Sequence, residues 1–394
     1  MSAYTFGIDT RWLESRTASG GTAVYIRELV RAMLQLDRGN RYHLWGTPLT
    51  GTGMNAHNFP FTGKQRRAWQ LVWKTVGWPT VDLPGPPCDL WHFTNYVAPP
   101  TRKPFVVTVH DLAFVEHPEY VEPKNLRYLE RFVPEALARA AHIIAISEAT
   151  REALVETFSV PQTKIAVTSL AASPAFHEPV EPDRLSRILK KHGIDRDYIL
   201  TVGTLEPRKN LKTLLLAFAA LRKKVREQLV VVGGHGWLFD ETEELLRKLG
   251  LGDRVILTGY VPDEELPSLY AGAKAFVFPS HLEGFGIPLL EAMASGTPVL
   301  SSNTSSMPEV GGTAALYFDP DDEKGMRLAI ERVLGDEKLQ ERLVEAGHEQ
   351  AKGFSWERTA QKTLGTYYRA LGLGNVRVPK PATDTPEPPA GAVE

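Results

Sequence analysis

The residues most suited to chemistry lie in His281-Leu282-Glu283-Gly284-Phe285-Gly286-Ile287-Pro288-Leu289-Leu290-Glu291. This run joins an apolar strand, Phe276-Val277-Phe278, to a helix. Gly284 and Gly286 let the backbone approach a ligand closely. The amides of Phe285, Gly286, Ile287 and Leu289 in the stretch from Phe285 to Leu289 fall where a helix N-terminus receives an anion. Glu283 sits in the loop at the strand's carboxyl end, where open α/β sheets bind ligands. Glu291 lies two turns further along, so the two carboxylates reach separate parts of one long ligand. Either acid alone reads as a solvated side chain; the string as a whole reads as a binding site.

A second run, Val202-Gly203-Thr204-Leu205-Glu206-Pro207-Arg208-Lys209-Asn210-Leu211, follows a strand and starts a helix. Two adjacent cations at a helix N-terminus oppose the macrodipole and so invite an anionic partner. A pyrophosphate is the natural candidate, with Arg208 and Lys209 neutralising a leaving group. Val230-Val231-Val232-Gly233-Gly234 runs into a glycine turn that serves equally as a ligand loop or a plain strand-to-helix turn. It is not the dinucleotide fingerprint, because Phe239 takes the place of the last glycine. Gly20 and Gly21 precede a helix and suit close approach to phosphates or to an acceptor. His110 ends a strand beside Asp111, which is equally a cap for the next segment.

These loops need a parallel sheet to hold them, and the chain alternates β-rich runs with amphipathic stretches. Strands are expected at Tyr4–Asp9, Tyr42–Trp45, Asp89–Phe93, Phe105–His110, His142–Ile146 and Lys164–Thr168, with helices at Thr22–Leu36, Gln65–Val76, Lys124–Ala138 and Glu148–Phe158. Ser147 is the expected N-cap of the last of these. The second half repeats the pattern, with strands at Tyr198–Val202, Leu229–Val232, Val255–Leu257, Ala275–Phe278, Pro298–Ser301 and Leu316–Phe318. Helices fall at Leu211–Lys224, Glu241–Leu249, Glu264–Ala271 and Pro288–Ala294. The expectation is α/β: two Rossmann-like domains facing across a cleft, 1–175 for the acceptor and 190–354 for the nucleotide sugar. A proline-bearing linker begins near Ser173. A helix over 355–372 returns to the first domain, and the proline-rich stretch 373–394 is expected to be disordered.

The Glu283-to-Glu291 string resembles the Glu-x7-Glu motif of retaining GT-B glycosyltransferases of family 4 (group 1), which include sucrose synthases and bacterial mannosyltransferases. The resemblance runs from the Gly20-Gly21 loop to the late helix. It implies that Glu283 contacts the donor sugar, that Glu291 binds the ribose hydroxyls, and that Lys209 and Arg208 face the diphosphate. It further implies that Tyr260 and Val261 line the nucleobase pocket, the alternative being a buried loop aromatic, and that His110 lies near the donor sugar. One departure is visible: many relatives carry Arg immediately after the first glycine, where this chain has Thr204. The implied reaction is hexosyl transfer, first guess mannose from GDP-mannose, to a glycan or lipid-linked acceptor, without metal or cofactor.

Composition narrows the rivals. The 394 residues carry 45 basic and 47 acidic side chains for a formal net charge of −2, so a chain-wide nucleic-acid-binding field is absent. A single cysteine, Cys88, excludes an internal disulfide framework and a multi-thiolate zinc site. No secretory signal and no apolar run of about 18 residues is present, which gives a cytoplasmic expectation. Lys64–Trp78, basic and rich in tryptophan, reads either as a helix on the inner face of a membrane or as a helix covering the first sheet. The covering helix is preferred. A sugar-nucleotide epimerase and a non-catalytic nucleotide-sugar-binding module remain as alternatives on the same architecture.

Overall fold

The computed structural model describes residues 3–14, 20–51, 54–61, 63, 68, 69, 71–73, 76, 78, 80–83, 85–234, 239–374, 376 and 378. The chain divides into two compact units. One is built from the chain up to Leu170 together with the segment from Ser355, the other from Ala171–Phe354.

The first unit holds a seven-stranded sheet of β1 (Thr5–Thr10), β2 (Arg41–Gly46), β3 (Ala56–Pro60), β4 (Leu90–Phe93), β5 (Phe105–Val109), β6 (His142–Ala145) and β7 (Ile165–Val167). Its order is β3-β2-β1-β4-β5-β6-β7, and each pairing is parallel. The order reverses between β1 and β4, which opens a crevice at their carboxyl ends. β5 is Phe-Val-Val-Thr-Val and buried throughout, the run of β-branched residues expected of a strand covered on both faces. Around it pack Trp45, Trp91, Phe93, Val133, Leu137 and Ile143. Ser147 caps Glu148–Phe158, its Oγ accepting the Thr150 amide at 3.0 Å.

The helix Trp356–Ala370 belongs to this unit and packs along Gly21–Leu36. Ser355 Oγ caps it by accepting the Arg358 amide, and Thr359 Oγ1 donates to the Ser169 carbonyl. Its Tyr367 ring lies 4.9 Å from that of Phe6 on β1. The Tyr367 hydroxyl meets His92 Nδ1 at 2.7 Å, while His92 Nε2 meets Thr108 Oγ1 at 2.7 Å and Thr108 Oγ1 meets Tyr25 Oη at 2.9 Å. Tyr367 Oη also donates to Met33 Sδ. One direction satisfies every member: Tyr25 to Thr108, Thr108 to His92 Nε2, His92 Nδ1–H to Tyr367, Tyr367 to Met33. Burial holds the His92 imidazole at about 3, neutral as this chain of donors requires.

The second unit holds β8 (Tyr198–Val202), β9 (Gln228–Val232), β10 (Val255–Gly259), β11 (Ala275–Phe278), β12 (Val299–Ser302) and β13 (Ala315–Phe318). These form a parallel sheet in the order β10-β9-β8-β11-β12-β13, with its switch between β8 and β11. Leu214, Leu215 and Phe218 of the helix Leu211–Leu221 pack on one face of this sheet with Met326, Ile330 and Val333 of Glu323–Gly335.

Several elements differ from the sequence expectation. β3 was not expected: Ala-His-Asn-Phe-Pro is a half-exposed edge strand without an apolar signature. Pro182–Lys191 forms a helix inside the stretch read as linker, with none of its residues buried. Glu323–Gly335 and Glu337–Lys352 are two further helices not drawn in advance. Half of the residues of the expected helix Gln65–Val76, and most of those of the tail 373–394, lie outside those described. The Leu373 and Val376 amides donate to the Tyr368 and Leu373 carbonyls.

Candidate functional site

The second unit gathers its polar residues at the carboxyl ends of β8 and β11, beside the switch point. After β8 the chain makes a single turn, Pro207–Lys209, and Asn210 then adopts a left-handed conformation (φ 54°) before the helix Leu211–Leu221. Asparagine tolerates that conformation better than most residues. Its side chain also ties the corner down: Nδ2 donates to the carbonyls of Pro279 and Pro320, and Oδ1 accepts from Thr213 Oγ1. The His281 amide donates to the Arg208 carbonyl at 2.8 Å, which joins the two motif loops directly.

Across this junction Glu283 meets both cations. Arg208 Nη1 lies 2.8 Å from Glu283 Oε2, and Lys209 Nζ lies 2.5 Å from Oε1. Arg208 also pairs with Glu206 at 2.7 Å and donates to the Leu282 carbonyl. Burial pushes the Glu283 carboxyl up, but Arg208 and Lys209 outweigh burial and hold it at about 2. Burial pulls the Lys209 ammonium down, with Glu283 acting against that shift. Lys209 also lies over the Phe278 ring, 5.1 Å from its centroid. The sequence suggested two cations awaiting an anion; here two acids of the chain partner them, so the four formal charges sum to zero. Ser305 Oγ and Ser306 Oγ donate to the Glu283 carbonyl and fix the loop from behind.

Gly203 and Gly233 are placed together. A methyl group on Gly233 would lie 1.9 Å from the Gly203 carbonyl oxygen, so only glycine permits β8 and β9 to end side by side here. Gly234 has open space where a Cβ would sit, and its carbonyl accepts the Leu205 amide. Thr204 follows on this loop, its carbonyl taking the Glu206 amide. Gly284 leads to Gly286, which has φ 97° and caps the helix Ile287–Ala294. The Phe285 side chain is buried edge-on against Phe354 and that of Ile287 is buried too, so these residues can offer a ligand only their backbone.

Glu291 lies on that helix and is 8% exposed, which removes the surface-acid reading. Tyr270 Oη donates to its Oε2 at 2.9 Å. Burial pushes the Glu291 carboxyl up to about 7; the Tyr270 hydrogen bond pulls it down and nearby Asp263 adds to the rise. On the loop after β10, Val261 is buried while Tyr260 is 58% exposed, so the buried-aromatic alternative fails for Tyr260.

His110 and the Gly20-Gly21 pair belong to the first unit. His110 is buried, and its Nε2 meets the Thr94 carbonyl at 2.9 Å, so Nε2 carries the proton. Burial lowers its pKa, which keeps the ring neutral and Nδ1 an acceptor. The Tyr25 ring stands edge-on to it at 5.2 Å. Gly20 precedes the helix Gly21–Leu36, and its carbonyl takes the Ala23 and Val24 amides. Asp111 Oδ1 accepts the Ala113 amide, the capping role its position allowed.

Sequence reasoning missed the role of Asn210, inside the second run, and missed Tyr270, Ser305 and Ser306, which act on the motif residues from outside the motifs. Asn210 alone carried a signal, a left-handed-tolerant residue directly before an apolar helix. Among the described residues no group of three or more His, Cys, Asp or Glu could hold a metal ion, and no helix is long and apolar enough to cross a membrane.

Residues 186–350 match the family described as Glycosyl transferases group 1, and residues 19–172 match Glycosyltransferase Family 4. The chain is 37% identical to the O-antigen chain mannosyltransferase B of Escherichia coli over 71% of this chain and 74% of that protein. It is 31% identical to the serotype-specific mannosyltransferase WbdA of Escherichia coli over 68% of this chain, which spans only 33% of WbdA. In fold it is similar to sucrose-phosphate synthase from Thermosynechococcus elongatus, with TM-score 0.72, 21% identity and coverage of 94% of this chain and 99% of that one.

Proposed function

Because the chain belongs to the family 4 (group 1) glycosyltransferases, we propose that it moves mannose from GDP-mannose to a glycan or lipid-linked acceptor with retention at the anomeric carbon. The observation that carries this reading is the Glu283–Lys209–Arg208 cluster at the β8–β11 switch point, with the buried Glu291 on the helix Ile287–Ala294 that follows the Glu283 loop. The mannosyl donor is supported by the relatives, which are named mannosyltransferases.

In this reading the C1–O bond to the diphosphate breaks and its electron pair stays on the phosphate oxygen. A C1–O bond to the acceptor hydroxyl forms on the same face, and the hydroxyl proton leaves on the departing diphosphate. Glu283, ionised at any physiological pH, supports the positive charge that develops on the sugar ring. Lys209 and Arg208 shift part of their charge from Glu283 and Glu206 to the diphosphate as it departs, assisted by backbone amides around Gly203, Gly284, Phe285 and Gly286. No metal is assigned a role in that neutralisation, and no cofactor is needed.

Glu291 takes the ribose hydroxyls, and the loop of Tyr260 and Val261 takes the base. The family pattern gives His110 to the donor sugar, where neutral Nδ1 accepts from a sugar hydroxyl. Tracking transfer from labelled GDP-mannose and from UDP-glucose to mannose-terminated oligosaccharides tests the reading. Transfer from GDP-mannose with an α-linked product is expected. A β-linked product would refute retention, and interconversion of the donor sugar without transfer would favour the epimerase.

A further inference from the structure

Beyond the paired ends of β11 and β12 a ladder of side-chain hydroxyls takes over from the backbone. Phe278 lies opposite Ser301 at the last pairing of these parallel strands, so 279–283 and 302–306 leave the sheet side by side. The second segment reads Ser302-Asn303-Thr304-Ser305-Ser306, and four of its five residues carry a hydroxyl. Each of the four donates to a carbonyl of the first segment. Ser302 Oγ reaches the Ser280 carbonyl at 2.6 Å, and Thr304 Oγ1 reaches the His281 carbonyl at 2.8 Å. Ser305 Oγ and Ser306 Oγ both reach the Glu283 carbonyl, at 2.5 and 2.9 Å, one for each lone pair.

Two residues of the segment give up a local preference to make this grip. Ser305 holds a left-handed backbone (φ 55°), a conformation that strains serine and suits glycine. Ser306 is fully buried and directly precedes the helix Met307–Gly311, where a serine hydroxyl ordinarily caps, yet it makes no cap bond. Its hydroxyl goes to Glu283 instead. The Asn303 amide donates to the Phe318 carbonyl on β13, which ties the segment to the sheet.

The grip fixes direction as well as place. A trans peptide points its C=O and its N–H to opposite sides. Ser302 holds the Ser280 carbonyl, and the His281 amide of that same peptide faces away and donates to the Arg208 carbonyl. By the same rule the two serines behind the Glu283 carbonyl set the plane of the 283–284 peptide. The carboxylate of Glu283 is held separately, by Arg208 and Lys209. Those cations turn towards the diphosphate as it departs, so their hold on Glu283 weakens when its charge is most needed. The hydroxyl bonds to its carbonyl are untouched by that shift.

We propose that Ser302, Thr304, Ser305 and Ser306 are positioning residues, a hydroxyl clamp that keeps Glu283 in place while its cations are drawn to the leaving group. This rests on the assignment of Glu283 to the reacting sugar, and its first test uses no donor. Amide hydrogen exchange over 281–286 should quicken about tenfold when Ser305→Gly and Ser306→Ala are combined, and stay as in wild type on β8 to β10. Ser305→Gly alone should melt close to wild type, because glycine relieves the left-handed strain.

Steady-state transfer from GDP-mannose gives the second readout. The combined variant should lower kcat by about tenfold and leave donor KM and GDP affinity within about twofold. In the Glu283→Gln background the same serine substitutions should change kcat by less than about twofold, since the charge they place is gone. Thermal melts and GDP binding on the same preparations show that each variant is folded. Unchanged exchange over 281–286, unchanged kcat in the combined variant, or an equal loss of kcat with and without Glu283→Gln would overturn the proposal. So would a parallel fall of kcat and GDP affinity, which would assign the serines to general packing of the second unit. A wild type that binds GDP but transfers no sugar would instead refute the glycosyltransferase reading, with the grip on 281–286 still decided by exchange.

Discussion

Lys209 Nζ and Glu283 Oε1 meet at 2.5 Å although 74 residues separate them in the chain. The contact joins the loop after β8 to the loop after β11, and so fixes the two motifs in one geometry. Breaking a fully buried ion pair costs roughly 3–5 kcal/mol. Arg208 and Lys209 keep some exposure here, so Glu283→Gln should lose less than that and remain folded. Urea denaturation measures it; a loss near zero would show that the contact does not organise the site.

Gly233 and Gly234 should respond oppositely to one methyl group. In Gly233→Ala the new Cβ meets the Gly203 carbonyl at 1.9 Å, which the backbone can relieve only by parting β8 from β9. Gly234→Ala meets open space. Gly233→Ala is expected to lower stability by about 2 kcal/mol or more and to abolish GDP binding, while Gly234→Ala stays within about 0.5 kcal/mol of wild type. Equal effects in thermal melts would contradict the close approach.

Glu291 makes a pH prediction whose sign follows from its shift. Its carboxyl titrates at 4.5 ordinarily and at about 7 in the fold, so between those values the folded state holds more protons than the unfolded. Stability from this group therefore falls as pH rises from 4.5 to 7, by of the order of 3 kcal/mol at about 1.36 kcal/mol per unit. Glu283 acts in the other direction: held at about 2, it contributes stability above 4.5 that is lost on acidification towards 2. Glu291→Gln keeps an acceptor for Tyr270 and should flatten the fall between pH 5 and 7. GDP affinity should rise about tenfold from pH 6 to 8 in the wild type, as the acid ionises to accept the ribose hydroxyls, and stay level in the variant. Parallel wild-type and variant curves would contradict both statements.

The His92 relay predicts that the late helix is structural for the first unit. Tyr367→Phe leaves the His92 Nδ1–H without its acceptor, a loss of about 1–3 kcal/mol for a buried donor. Its melting temperature should drop while GDP affinity is unchanged. A variant as stable as wild type would mean that the relay carries no stability.

Much of this was legible beforehand, and the reasons are physical. Val230-Val231-Val232 and Phe105-Val106-Val107 announce buried parallel strands because both faces need apolar side chains. The Glu283-to-Glu291 spacing and the Arg208-Lys209 pair carry their chemistry in residue type. The pairing of those cations with Glu283 was not legible, because it depends on how the β8 and β11 loops cross. Tyr270 and the two serines behind Glu283 come from other loops and share no pattern with the motif. β3 and the helix Pro182–Lys191 escaped notice because neither has a buried apolar face.

Leaving-group neutralisation by Lys209, Arg208 and backbone amides predicts that transfer survives a strong chelator. Loss of turnover in EDTA, restored by manganese or magnesium, would require a different account of the departing diphosphate.

Steady-state kinetics of Glu283→Gln and Glu291→Ala with GDP-mannose tests the central claim most directly, since one acid is assigned to the reacting sugar and the other to the remote ribose. Glu283→Gln should chiefly lower kcat, because its carboxylate stabilises charge that exists only near the transition state. Glu291→Ala should chiefly raise donor KM, by about 1–3 kcal/mol of lost binding. Full kcat in Glu283→Gln, with kcat abolished in Glu291→Ala at saturating donor, would contradict the assignment.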